Sequence, residues 1–79
     1  MITELDIYQL VGQRIKTLRE QKKMTQRDLG DLVDMEQNHV SRLESGRTNL
    51  TIKNIFRISQ ALGVKMKDLV DVEDFLFKH

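Results

Sequence analysis

The chain has 79 residues, no cysteine, no proline and a net charge of +1, which bounds it to one small domain with a modest core. Without cysteine there are neither disulfides nor a cysteine metal site, and the two separated histidines, His39 and His79, make no metal cluster, so no metal or cofactor is expected. No apolar run approaches the ~18 residues of a membrane span, and the acidic start MITELDIYQ lacks the basic region of a secretory signal, so a cytoplasmic protein with no membrane partner is expected.

No stretch alternates apolar and polar residues as a half-buried strand would. Helical spacing recurs instead and predicts an all-α domain. Ile7, Val11, Ile15 and Leu18 form one stripe of a first helix, expected from about Ile7 to Lys23. Gly12 lies inside it at a cost of about 1 kcal/mol relative to alanine, which marks a close helix contact. Thr25 is a good N-cap, and Asp28 three positions on can complete a capping box. Leu29, Leu32 and Val33 are expected to form the buried side of the second helix, with Gly30 admitting a neighbouring helix. A third helix is expected from Gln37 to Ser45, ended by Gly46. After the loop Arg47 to Leu50, Thr51 can cap a fourth helix carrying Ile52, Ile55, Ile58, Ser59 and Leu62 and closed by Gly63. Met66, Leu69 and Val70 predict a short fifth helix, and Met24 and Met35 are expected to fill gaps in the core. Residues 1–79 thus read as one domain with its core over 11–70. The tail, 71–79, carries Phe75, Leu76 and Phe77, which either fold back over the first helix or meet a second copy of the chain.

The third helix is the most informative element. At about 100° per residue, with Gln37 as origin, Ser41 falls at roughly 40°, Ser45 at roughly 80°, Asn38 at roughly 100° and Arg42 at roughly 140°. Val40 and Leu43 lie on the opposite side, and His39 lies on the margin. A narrow apolar anchor therefore carries a broad, hydrogen-bonding face. Gln and Asn can pair bidentately with adenine, Arg can pair with guanine, and serine hydroxyls can serve bases or phosphates. An ordinary exposed helix face is richer in Lys and Glu. His39 fits a helix-margin or backbone-contacting role better than a metal ligand.

Charge is segregated along the chain. Residues 13–27 hold six basic residues against one acidic, residues 28–36 hold four acidic residues alone, and residues 37–57 hold four basic against one acidic. A nearly neutral chain can therefore present a basic face, although the same charges also suit ordinary solvated helices. The clustered carboxylates Asp28, Asp31, Asp34 and Glu36 have no His or Cys partner nearby and fall on a helix surface and turn, so no enzyme is expected.

From about Val11 to Val70 the chain resembles the Cro/cI-type (XRE) helix-turn-helix domains of bacterial and phage regulators. The residues that carry the resemblance are RIKTLREQKKMTQRDLGDLV, HVSRLESGRTNLT and ISQALGVKMKDL. It implies a five-helix lambda-repressor-like DNA-binding domain. It also implies that Arg19, late in the first helix, pairs with Glu44, near the end of the third, rather than serving as a phosphate ligand. The second helix would cross the DNA backbone, presenting free N–H groups near Thr25 and the Gln26 side chain to a phosphate; Arg27 either adds charge there or is simply solvated. The third helix would enter the major groove with Gln37, Asn38 and Arg42 as base readers and Ser41 on a base or a phosphate. Arg47, Thr48, Asn49 and Lys53 would approach the backbone. The chain departs from the pattern at Gly30, where alanine is commoner, at Asp34, where glycine is common in the turn, at Glu36, where Ser or Thr commonly caps, and at Leu50, where proline is common.

One such domain reads about half a turn of double-stranded DNA, so a homodimer on a palindromic operator is expected, with the fourth helix, the fifth helix and the tail as candidate dimer surfaces. The expected role is a sequence-specific transcriptional regulator, a repressor in the leading reading. The chain also resembles the small controller proteins of restriction–modification systems, and an antitoxin of the same fold is a further alternative. A polymerase or a toxin is then an additional partner for the acidic, apolar tail. A protein-interaction module that binds no DNA is the reading from another class.

Overall fold

The computed structural model describes residues 3–71, apart from the side chain of Leu5. Among them are five helices: α1 (Glu4–Gln21), α2 (Gln26–Val33), α3 (Gln37–Glu44), α4 (Ile52–Leu62) and α5 (Met66–Val70). The all-α expectation and the order of elements hold. The tail residues Phe75, Leu76 and Phe77 lie outside the described residues. No described helix is long and apolar enough to cross a membrane.

Local chemistry sets most of the boundaries. The Thr25 hydroxyl accepts the Asp28 N–H at 3.0 Å while the Asp28 carboxylate accepts the Thr25 N–H at 2.9 Å, the reciprocal capping box read from the sequence. The Thr25 backbone N–H, and after it the hydroxyl, hold the Asp28 carboxyl below its usual pKa. The cap therefore contributes stability above the ordinary carboxylate range, and that contribution is lost as pH falls through the lowered value. α1 begins three residues earlier than its apolar stripe suggests, because Thr3 and Asp6 make the same box. It also ends earlier, at Gln21. Lys23 takes a left-handed conformation, with φ of 58°, and its N–H and that of Met24 return to the Glu20 and Arg19 carbonyls, which closes the helix as a Schellman turn. Asp34 ends α2 in the same left-handed region, a conformation that aspartate tolerates.

All five helices feed one core. Val11, Ile15 and Leu18 of α1 meet Leu29 and Val33 of α2, Val40 and Leu43 of α3, Ile58 and Leu62 of α4, and Leu69 of α5. Met24 and Met35 pack against this cluster as expected. α1 lies against α3, α5 and α4, while α2 bridges α3 and α4. A Cβ placed on Gly12 would lie 2.7 Å from the Glu44 carbonyl oxygen and closer still to that of Leu43. Glycine there is what lets the end of α3 dock on α1. Gly30 likewise admits a close neighbour, but that neighbour is the turn: a Cβ would sit 2.5 Å from the Met35 carbonyl oxygen.

Leu32 corrects the reading of α2, since it is 60% exposed. Leu29, Gly30 and Val33 set the inward direction, and at about 100° per residue Leu32 falls roughly 100° away from it. It borders a groove with Arg57, Gln60 and Ala61 of α4 instead. Ile52, the first member of the α4 stripe, is 77% exposed, because the first turn of α4 projects beyond the core. α5 is tied down from α1, where Arg14 Nε donates to the Asp68 carbonyl at 2.9 Å.

A lysine in the left-handed region is strained where glycine is not. Lys23→Gly is therefore expected to raise the unfolding free energy by about 0.5–1 kcal/mol, measured by urea denaturation, whereas Lys22→Gly, at a position with negative φ, should lower it.

Candidate nucleic-acid interface

The outward face of α3 is built as its periodicity requires. Val40 and Leu43 are each 1% exposed, whereas Gln37, Asn38, Ser41 and Arg42 are all exposed. His39 is half-buried at the margin. The two anchors hold the helix while four hydrogen-bonding side chains, only one of them charged, remain free of the core. The helix ends at Glu44, one residue before its expected end. Gly46 then turns left-handed at φ of 75°, and the Gly46 and Arg47 N–H groups return to the Leu43 and Arg42 carbonyls. This turn sends the chain out along Arg47 (exposed), Thr48 (half-buried) and Asn49 (exposed) towards α4, where Lys53 is also exposed.

Glu44 belongs to the scaffold. Arg19 Nε donates to Glu44 Oε2 at 2.6 Å and Arg19 Nη2 to Oε1 at 3.0 Å, with both side chains buried. The third donor, Nη1, reaches the Met24 carbonyl at 2.7 Å. Hydrogen bonding to Glu44 raises the Arg19 pKa above its ordinary value, so the guanidinium stays charged at any working pH. Gln26 joins this pair, its Nε2 donating to Glu44 Oε1 at 3.1 Å. Nothing in the residue spacing suggested that bond, because the two positions are 18 apart.

At the amino end of α2, Thr25 and Arg27 are exposed and Gln26 is half-buried. The capping box occupies the Thr25 and Asp28 N–H groups, and the Leu29 N–H bonds the Thr25 carbonyl. The Gln26 and Arg27 N–H groups are left outward. α3 has no side-chain cap, since Glu36 makes no hydrogen bond to its first turn. A hollow at the turn is lined by Asp31, Asp34 and Glu36 together with Arg27 and Gln37. These three carboxylates lie beside Arg27 and Gln37 on the same hollow and oppose a polyanion there. Among the described residues no group of three or more His, Cys, Asp or Glu side chains is arranged to hold a metal ion.

Comparison with known proteins agrees with this geometry. The helix-turn-helix family model HTH_3 matches residues 15–69. The control protein C.BamHI of Bacillus amyloliquefaciens is 40% identical over 63 residues, covering 78% of each chain. The HTH-type transcriptional regulator y4dJ of Sinorhizobium fredii is 36% identical over 70 residues, covering 89% of this chain and 91% of its own. Among solved structures, the restriction-modification controller protein C.AhdI of Aeromonas hydrophila superposes with a TM-score of 0.76 at 29% identity, covering 78% of this chain and 94% of that one. The chain belongs to the XRE-type helix-turn-helix family of transcriptional regulators.

Removing one member of the buried pair leaves the other charge uncompensated. Glu44→Ala is expected to cost about 3–5 kcal/mol of folding stability, whereas Arg19→Met combined with Glu44→Met should recover most of that loss. Chemical denaturation of the three proteins checks both outcomes; a double variant no better than the single one would deny the pair its mainly electrostatic role.

Proposed function

We propose that the chain is a sequence-specific DNA-binding regulator whose α3 enters the major groove of a palindromic operator. The observation that carries this reading is the α3 face itself. Four hydrogen-bonding side chains stand exposed on a helix whose other side is fully committed to the core. In this docking Gln37 and Asn38 read adenine and Arg42 reads guanine, with Ser41 beside them. Thr25, Gln26 and Arg27 at the amino end of α2, and Arg47, Thr48, Asn49 and Lys53 after α3, meet the phosphates on either side. Phosphate contacts supply affinity and register, while base contacts supply sequence preference.

Repression follows from occupying a promoter. A role as a restriction–modification controller is supported by the restriction-modification controller protein C.AhdI and by the control protein C.BamHI. The antitoxin PezA of Streptococcus pneumoniae is 30% identical over 67 residues but is matched over 42% of its length, which gives weaker support to an antitoxin role. Selection from a random DNA library with the whole chain tests the proposal. An inverted repeat with half-sites about one turn apart is the expected result, and no enriched sequence at low salt would overturn it.

A palindrome requires a second copy. Ile52 and Phe56, 77% and 47% exposed, lie one turn apart on α4, immediately after the loop that borders the reading face. A two-fold axis beside them would bury this exposed apolar pair between the two copies. The dimer is therefore assigned to the start of α4. Replacing both residues with glutamate should give a folded monomer in sedimentation, whereas a surviving dimer would return the role to the fifth helix or the tail.

Two kinds of DNA contact are separable by measurement. Arg42→Ala is expected to relax preference at one base pair at a cost of about 1–3 kcal/mol. Equal loss on selected and random DNA would remove it from the base readers. Arg47→Ala and Lys53→Ala should instead weaken every sequence, each removing one phosphate contact per subunit and so lowering the steepness of log affinity against log salt by about 1.8 for the dimer.

A further inference from the structure

Met35 stands in the turn between α2 and α3, and its backbone is fixed on both sides. Its N–H donates to the Gly30 carbonyl at 2.9 Å, and its own carbonyl oxygen lies 2.5 Å from where a Cβ on Gly30 would stand. The side chain spans two environments. It packs against the core cluster, and it also lines the hollow at the turn, half-buried. A thioether here is a core contact that solvent reaches.

Oxidation turns such a flexible apolar side chain into a polar one. The sulfur lone pair attacks a hydroperoxide, and the O–O bond breaks. The sulfonium S–OH that forms gives its proton to the departing oxygen. Sulfur is oxidised by two electrons to the sulfoxide, and hydrogen peroxide is reduced to water.

The surroundings decide what that product does. A sulfoxide oxygen accepts hydrogen bonds and donates none. Turned towards the core, it would be buried against apolar side chains as an unpaired acceptor. Turned into the hollow, it meets the carboxylates of Asp31, Asp34 and Glu36, which offer no donor, and the side chains of Arg27 and Gln37, which do. Those two are the residues assigned above to a phosphate and to a base. The first orientation loosens the turn ahead of α3, whose start has no side-chain cap to hold it. The second draws on donors that DNA would use.

We infer that Met35 is a modification site, with hydroperoxides as its substrate class, and that its sulfoxide releases DNA. This rests on the regulator reading above and adds to it a signal the chain can sense. Met24 is likewise half-buried and packed against the core, but at the other end of α2, so it serves as the internal comparison.

The test uses the whole chain, the duplex recovered by library selection, and hydrogen peroxide. Peptide masses after mild treatment are expected to place an added oxygen on Met35. The oxidised chain should bind the duplex at least about tenfold more weakly, and methionine sulfoxide reductases acting on both sulfoxide epimers should restore the affinity. Met35→Leu, a swap that conserves volume, should bind as the unmodified chain does and keep its affinity through treatment. Met24→Leu should lose affinity on treatment as the unmodified chain does. Unchanged affinity with Met35 oxidised, an equal loss in Met35→Leu, or Met35 left reduced while Met24 is oxidised would each overturn the assignment and leave the regulator reading intact. The circular dichroism of the oxidised chain should stay helical, and global unfolding would overturn the local action on α3. Failure of the untreated chain to bind any duplex at low salt would overturn the regulator reading and the release of DNA with it. The oxidation site would then still be read from the peptide masses, and from a denaturation midpoint that falls on treatment in the unmodified chain but not in Met35→Leu.

Discussion

The fold turns on the pairing of Arg19 with Glu44. Among the described residues it is the one place where three segments are joined by directed side-chain bonds rather than by apolar contact. Arg19 carries α1, Glu44 carries α3, and the Met24 carbonyl carries the α1–α2 turn. Gln26 brings in α2 through the same carboxylate. All three donor nitrogens of the guanidinium are used, so the pair is satisfied as well as buried, which is the condition for a buried charge to be tolerated. Gly12 makes the approach possible. It lies seven residues before Arg19, nearly the same direction on the helix at about 100° per residue, and its missing Cβ lets the carbonyls of Leu43 and Glu44 come in. Backbone clearance at one point and an ion pair two turns later fix how α3 sits on α1, and hence where its outer face is presented.

Much of this was legible before any coordinates, where the signal was local. Thr25 with Asp28, Gly46 and Gly63 mark helix ends through bonds or dihedral angles that neighbouring residues alone determine. The anchors Val40 and Leu43 follow from period. The start of α1 was equally local, as Thr3 and Asp6 repeat the spacing of Thr25 and Asp28. The apolar stripe, which begins only at Ile7, does not extend to it. What was not legible depended on tertiary partners. Leu32 belongs to an eight-residue helix whose inward direction is set by the helices it lies between, and three apolar residues in five positions do not reveal which one is left out. The Arg19–Glu44 pairing, 25 residues apart, rested on family resemblance rather than on spacing. The Gln26 bond to Glu44 had no sequence signal at all.

Two of the departures from the family pattern, Asp34 and Glu36, fall together at the turn between α2 and α3. Asp34 accepts the left-handed angle that glycine would take at less strain, and Glu36 starts α3 without capping it. Both carboxylates, with Asp31, line the hollow there. The loss is one of local helix stability, which the core offsets through Val40 and Leu43. The electrostatic consequence is a gradient: attraction for a polyanion is weaker at the start of α3, where Arg27 is offset by these carboxylates, and stronger towards the loop after α3.

That gradient explains how a chain of net charge +1 can suit a nucleic-acid partner. Its charges are sorted by position rather than by number. The buried pair cancels itself, the acidic group sits at the turn, and exposed cations stand at the ends of the helices that flank the α3 face, with Arg27 before it and Arg47 and Lys53 after it. The face between them is nearly uncharged. In the proposed docking, long-range attraction would be carried at the rim, against phosphates, and short-range hydrogen bonding at the centre, against base edges. Cations spread over α3 itself would raise affinity for any duplex alike. With Arg42 as the one cation on that face, the proposed docking would leave discrimination between sequences to Gln37, Asn38 and Arg42.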